Sequence, residues 1–359
     1  MQSSFFDLED RYRQLSRSGD RLERLSRAID WELFRPLLLR VDEKPRKSNA
    51  GRKPVDRVLM FKMMVLQNKY RLSDEQLEYQ VTDRLSFMRF LGVMLAGDVP
   101  DSRTVWAFRD ALKATGLIEP LFELFNRTLG DMGVMMNSGQ IIDATFVPLP
   151  IQRNGVENNA LIKKGAIPLA WGDTPTKLRQ KDTDARWTKK GGQNHYGYKN
   201  HINVDSATKL IAAYSATDAS VHDSQEIDSL LRPANGEGAG GAAVYADSAY
   251  RSEATEQVLV ERGHDSQIHE RAWRNTPLTE RQEESNTEKS RIRARVEHVF
   301  GTMENSMGGI FLRSIGKARA AVGIGLMNLV YNLLRVETLI RHKVFTFDRV
   351  TASALQTAA

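Results

Sequence analysis

Cysteine is absent from the 359 residues. That excludes disulfides, thiolate nucleophiles and cysteine-based zinc sites. Chemistry must come from carboxylates, hydroxyls, the seven histidines or a bound hard metal ion. No stretch approaches the roughly 18 apolar residues that cross a bilayer. The opening MQSSFFDLEDRYRQ places charges where a secretion signal needs an apolar core. The expectation is a soluble, cytoplasmic protein with no membrane partner. No internal repeat is visible, and there is no acidic excess. Instead 51 Lys and Arg oppose 45 Asp and Glu, leaving +6. Such a surplus favours an anionic partner, nucleic acid being the commonest, although many basic proteins bind none. Core-forming material is plentiful: 41% of residues are hydrophobic, enough for a sizeable interior. The length suits two or three domains.

Residues 1–40 carry Phe5, Leu8, Tyr12 and Leu15, then Leu22, Leu25 and Ile29, at helical spacing. The pattern predicts two short helices broken at Gly19 and a third over 31–39, forming a helical segment or a dimer contact. Residues 41–57 mix Pro, Gly, Asn and Ser with six cations, among them Arg52 and Lys53. This is a basic linker, read either as a solvated connector or as an arm on phosphates. Residues 58–135 predict a helical block. An amphipathic helix covers 55–69, Ser73 caps the next, and Gly92 ends a short one. Asp101 or Ser102 starts another that Gly116 stops. Arg103, Trp106, Arg109 and Asp110 share a face of that helix. Short helices with Arg103 and Arg109 on the last fit a helix-turn-helix-like DNA reader; packed helices with polar outer faces are the alternative.

Beyond 136 the pattern turns to strands. The first covers 140–149, and 195–206 pairs with 209–219 as a hairpin. A fourth strand ends at Asp247, and a fifth covers 265–272. Between the first two lies a polar segment, 151–193, with eight basic residues, including Lys189 and Lys190. It reads as a long loop that orders on a polyanion. A basic helix carries Glu297, and an apolar helix over 318–341 should pack on the sheet. The tail 344–359 reads as disordered. The expected fold of 136–343 is α/β, a mixed five-stranded sheet flanked by helices, preceded by an all-α region.

Three acids stand out. Asp143 follows two β-branched residues in the first strand, where a carboxylate is costly without a task. Asp247 ends the fourth strand, where ligands collect in open sheets. Glu297 sits among Val296, Val299 and Phe300 on the late helix. Three carboxylates with no cysteine suit Mg²⁺ or Mn²⁺. Two such ions per active site can activate an attacking oxygen and stabilise a leaving one.

IIDATFV, YGYKNH, DASVHDSQ, YADSAY, RARVEHVFG, MGG and NLVYNLLR together resemble the insertion sequence five family of bacterial transposases, over about 40–340. The resemblance implies a ribonuclease H-like catalytic domain of the DDE type. It also implies a helical region that binds the terminal inverted repeats, and Asp143, Asp247 and Glu297 as metal ligands. Water would cut the ends, and the freed 3′-hydroxyls would attack target DNA. Two ends imply a homodimer or higher oligomer on DNA, in a bacterial nucleoid.

Related families flank the Glu with a Tyr, an Arg and a Lys. Arg293 matches the Arg and suits a DNA phosphate, whereas Ser290 and Glu304 replace the other two. Arg295, Arg313, Lys317 or Arg319 are then candidate phosphate contacts, as is Lys199. His201 reads as a packed core residue. His222 and Asp223 read as a helix cap or as neighbours of the metals. Two other readings stay open: a non-catalytic DNA-binding repressor or architectural protein, and a structure-selective nuclease on the same fold.

Overall fold

Eight helices precede the first strand among the described residues: α1 Asp7–Arg17, α2 Arg21–Ala28, α3 Arg35–Leu39, α4 Arg57–Tyr70, α5 Asp74–Asp83, α6 Leu85–Leu91, α7 Ser102–Thr115 and α8 Ile118–Asp131. The computed structural model describes residues 7–42, 54–95, 97–134, 139–233, 242–272 and 276–351. Arg52 and Lys53 therefore lie outside the described residues, as does most of the basic linker. The chain divides into two units, 1–134 with 329–359, and 135–328.

The first unit is held by side-chain caps and an aromatic core. Ser73 and Gln76 form a reciprocal cap on α5. Asp101, rather than Ser102, caps α7 by accepting from the Thr104 N–H at 2.7 Å. The Phe34, Phe61 and Phe125 rings pack together, with Trp31 against Phe90. Helix α4 looks amphipathic in sequence, yet Met60, Phe61, Met63, Met64, Val65 and Leu66 are all fully buried. Its neighbours enclose it on most sides.

Arg109 of α7 does not project as a DNA reader. Its guanidinium donates to both oxygens of Asp74, at 2.6 and 2.7 Å, and to Gln67. This bidentate pair ties α7 to α4 and α5. Arg109→Ala should lower stability by about 1–2 kcal/mol, the site being partly exposed. Urea denaturation of the two forms measures it.

The second unit carries β1 Gln140–Pro148, α9 Val156–Lys163, α10 Leu169–Gly172, α11 Pro175–Arg179, β2 Arg186–Lys190, β3 Gln193–Asp205 and β4 Ile211–Asp218. There follow α12 Ile227–Leu230, β5 Ala243–Tyr245, α13 Glu253–Glu261, β6 Asp265–Ser266, α14 Glu280–Arg293, α15 Arg295–Ser306 and α16 Lys317–Arg341. The sheet has six strands in the order β2-β3-β1-β5-β6, with β4 also on β3. Strands β1, β3 and β4 are antiparallel, whereas β5 joins β1 in parallel and β6 joins β5 in parallel.

Two expectations change here. The sheet gains a sixth strand, β2, and three short helices, all inside the supposed loop 151–193. Strand β2 is polar and lies on the sheet edge, so it lacks the apolar alternation that betrays a strand. The segment is also anchored. Asp182, almost fully buried, accepts from the Tyr198 hydroxyl at 3.0 Å, the Ala185 N–H at 2.9 Å and the Gly316 N–H at 2.9 Å.

The last helix also differs. Residues 317–328 of α16 belong with the sheet, where Asn328 and Asn200 exchange hydrogen bonds of 2.7 and 3.0 Å. Residues 329–341 belong with the N-terminal helices: Asn332 donates to Asn126 at 3.0 Å and Arg24 to Glu337 at 2.9 Å. The tail is ordered through Thr351, because the Val350 N–H donates to the Ala28 carbonyl at 2.8 Å and Val350 is buried. Residues 352–359 lie outside the described residues. Among the described residues, no helix is long and apolar enough to cross a membrane.

Candidate functional site

Strand β1 carries Asp143 just past the fully buried Ile141 and Ile142. Its Oδ1 accepts from the Ala144 N–H at 2.8 Å, and its Oδ2 lies 3.3 Å from Arg293 Nη1. Burial pushes the Asp143 carboxyl up to about 6. The Ala144 N–H and Arg293 oppose that shift, and the charge of Asp247 adds to it.

Asp247 follows β5 by two residues, and β5 lies beside β1 in parallel register. Its Oδ1 accepts from the Ala249 N–H at 2.8 Å, capping a single 3-10 turn, Ser248–Tyr250. That turn buries Tyr250 completely, in a cluster with Ile142, Val244 and Leu259. Burial and the carboxylates of Asp143, Asp223 and Asp247 raise the Tyr250 phenol well above its ordinary range.

Glu297 lies in the first turn of α15, with its side chain two-thirds exposed. Arg293 closes α14 and stands between two acids: its Nη1 is 3.3 Å from Asp143 and its Nη2 3.9 Å from Glu297. The structure thus brings Asp143, Asp247 and Arg293 together and ties Glu297 to them through Arg293. Among the described residues, no group of three His, Asp or Glu side chains is placed to hold a metal ion. The donor chemistry nonetheless suits one. Asp143 and Asp247 are hard oxygen donors whose charges disfavour each other. The site also holds unmet polarity, since Arg293 Nε and the Tyr250 hydroxyl are buried without a hydrogen-bond partner among the described residues.

Lys199 sits differently from the expectation. It is buried on β3 and donates to Asp223 Oδ1 at 2.8 Å and to the Val221 carbonyl at 2.6 Å. It is an internal ion-pair partner and does not face solvent where a phosphate would lie. Lys190 reaches the other Asp223 oxygen at 3.4 Å. His222 caps the short turn that Asp223 opens. Phe146 lies under both lysines and stacks on His195 at 4.0 Å. Sequence reasoning passed over Phe146, His195 and Tyr250. The one available signal was alternation, which places Phe146 and Lys199 opposite each other once β1 and β3 pair.

Exposed cations are fewer than the sequence suggests. Arg103, Arg313 and Lys317 have exposed side chains. Arg295 is exposed too, but spends one nitrogen on the Ser206 carbonyl at 2.7 Å. The two residues that depart from the related pattern have local tasks: Ser290 contacts His269 at 3.2 Å, and Glu304 accepts from the Ile310 N–H at 2.9 Å.

His201 is a core residue, as its place on β3 suggests. It is fully buried, with Nε2 2.8 Å from the Thr217 hydroxyl. Burial pulls its pKa down to about 4, against the pull of Asp223 and Glu226. Above pH about 6.5 the imidazole is neutral in both folded and unfolded chains. Below that the unfolded chain takes up a proton that the folded one refuses. Stability should therefore fall between pH 6.5 and 4, by up to about 1.4 kcal/mol per unit. His201→Gln should flatten that part of the profile, as read by urea denaturation at several pH values.

Comparison with known proteins agrees with this arrangement. Residues 135–333, more than half of the chain, match the family described as Transposase DDE domain. Residues 9–111 match the family described as Transposase domain (DUF772). Among solved structures, the chain is similar to a piggyBac transposase synaptic complex with hairpin DNA, determined by cryo-EM. The TM-score is 0.44 at 12% identity, covering 93% of this chain and 75% of that one.

Proposed function

The chain belongs to the transposase DDE domain family, and from that premise we propose that it cuts the ends of a mobile DNA element and joins them to target DNA. The observation that carries this reading is the approach of Asp143 and Asp247 on neighbouring parallel strands, with Arg293 linking Asp143 to Glu297. A ribonuclease H-like topology is part of the proposal. In its support, three antiparallel strands, β4, β3 and β1, are extended by two parallel ones, β5 and β6.

Asp143, Asp247 and Glu297 would hold divalent cations, Mg²⁺ or Mn²⁺, two per site, which supply charge stabilisation at the reacting phosphate and a more acidic water. The residues of the chain do the rest. Arg293 neutralises Asp143 in the free protein and takes a DNA phosphate when DNA is bound, since a guanidinium suits either anion. Tyr250 and its apolar neighbours close the floor of the site to solvent. No Ser or Tyr nucleophile is needed, because the attacking groups are water and then the 3′-hydroxyl of the DNA itself. Arg103, Arg313 and Lys317 are the exposed side chains proposed to contact phosphates. The DNA comprises the terminal inverted repeats and the target. Handling two ends requires a homodimer or larger assembly.

The test is direct. Purified protein is incubated with Mg²⁺ or Mn²⁺, labelled DNA from the flanks of its gene and a plasmid target. Joined product is expected. Cutting without joining would assign a structure-selective nuclease. Binding without cutting would assign a repressor or architectural role, a reading that the exposure of Glu297 favours.

A further inference from the structure

The β2–β3 hairpin has features that the proposed cleavage site does not use. Its turn is Gly191–Gly192, with φ of 58° and 82°. Two successive positive φ values make the tightest hairpin connection, and glycine adopts both without strain. The two strands are therefore a narrow ribbon right up to the tip. Lys190 faces Gln193 across the ladder, and Lys189 faces Asn194. All six residues from Lys189 to Asn194 are exposed.

Alternation sends successive side chains to opposite faces of the ribbon. Lys190 and Gln193 point one way, while Lys189 and Asn194 point the other. The Lys190 face runs on through His195 to Phe146: Lys190 Nζ is 5.9 Å from the Phe146 centroid, and His195 stacks on that ring. Phe146 lies three residues beyond Asp143 on β1. The other face carries Trp187, 41% exposed beside Tyr196. The charge is of one sign, with no Asp or Glu between Asp184 and Asp205 and with Arg186, Lys189 and Lys190 on β2.

We propose that the β2–β3 hairpin is a DNA-reading ribbon whose tip enters the groove of the duplex beside the cleaved phosphate, where Lys189 and Lys190 grip the opposing backbones and Gln193 and Asn194 read base edges. This rests on the reading of the chain as a DNA-cutting enzyme. Physical fit supports it. A major groove admits a two-stranded ribbon, and Gln or Asn pairs with adenine through two hydrogen bonds. Lysines that diverge to the two faces of the ribbon reach the two walls of a groove, and their contacts add affinity at any sequence. The preferred duplex has adenine next to the cut.

The test uses the full chain and duplexes carrying either the element's own flank or a scrambled flank, titrated over a range of salt. Lys189→Ala with Lys190→Ala should weaken binding to both duplexes. It should also reduce the slope of log K against log salt by about 2, roughly one for each phosphate that a lysine no longer neutralises. Gln193→Ala with Asn194→Ala should leave that slope unchanged and reduce the preference for the native flank by roughly 5- to 150-fold. Gln193→Glu, which adds a charge that phosphate repels, should weaken binding further without altering the fold. Melting temperatures of the variants serve as the folding control.

If the folded alanine pair at 193 and 194 retains full flank preference, base reading is overturned. If the lysine pair retains the wild-type salt slope, the seat itself is overturned. These failures are distinct from failure of the enzymatic reading. In that case the wild-type protein itself neither cuts nor joins, and the variants are not needed to see it.

Discussion

Asp143→Asn, Asp247→Asn and Glu297→Gln are each expected to lower strand transfer by about 10³-fold or more, while affinity for element-end DNA changes only a few-fold. A divalent ion supplies several kcal/mol of charge stabilisation in phosphoryl transfer, and each 1.36 kcal/mol is tenfold in rate. An amide cannot replace the anionic oxygen that holds the ion. DNA affinity, by contrast, comes mainly from cations on phosphates. The readouts are a strand-transfer gel and a binding titration with each variant. Wild-type strand transfer by any one of the three would remove that residue from the assignment. A second readout separates loss of chemistry from loss of fold. Burial and the charge of Asp247 hold the Asp143 carboxyl up near 6, so its ionised form costs folding energy at neutral pH. Asp143→Asn should therefore raise stability in chelator, by on the order of 1–3 kcal/mol. A variant that is inactive but more stable has lost function and kept its structure.

Lys199→Met should destabilise the second unit by about 3–5 kcal/mol, because it strands a buried Asp223 without its main partner. Both side chains are more than nine-tenths buried, and Lys199 Nζ also serves the Val221 carbonyl. Lys190, 3.4 Å away and half-exposed, compensates little. A loss of that size corresponds to roughly 6–20 °C in melting temperature for a unit of this length. The double variant Lys199→Met with Asp223→Leu should recover most of it, since apolar replacements of a buried pair are often neutral. Differential scanning calorimetry of the three proteins decides the matter. A surface lysine waiting for a phosphate would give almost no thermal effect, and that result would restore Lys199 as a DNA contact.

Much of this molecule was legible in residue order. The caps at Ser73 and Asp101, the stop at Gly116 and the β3–β4 hairpin follow from rules that act over three or four residues. Asp143 and Asp247 also announced themselves, because an acid inside or just after an apolar strand is locally conspicuous. Arg109 and Lys199 were misread for the opposite reason. A basic residue on a polar face looks the same in sequence whether it meets solvent, phosphate or a carboxylate far along the chain. Asp74 lies 35 residues from Arg109, and Asp223 lies 24 from Lys199.

The sequence by itself determined the inventory: carboxylate chemistry without cysteine, a basic balance, helices first and a mixed sheet after, and acids at 143, 247 and 297. These depend on composition, periodicity and short-range capping, which need no partner from elsewhere in the chain. Tertiary structure alone decided which charges are spent. It took Arg109 and Lys199 into internal ion pairs, turned part of a polar segment into an edge strand, and split the last helix between two units. It also set Arg293 between Asp143 and Glu297. Each of those outcomes depends on groups distant in sequence coming within a few ångströms, where burial makes an unpaired charge too costly to leave alone.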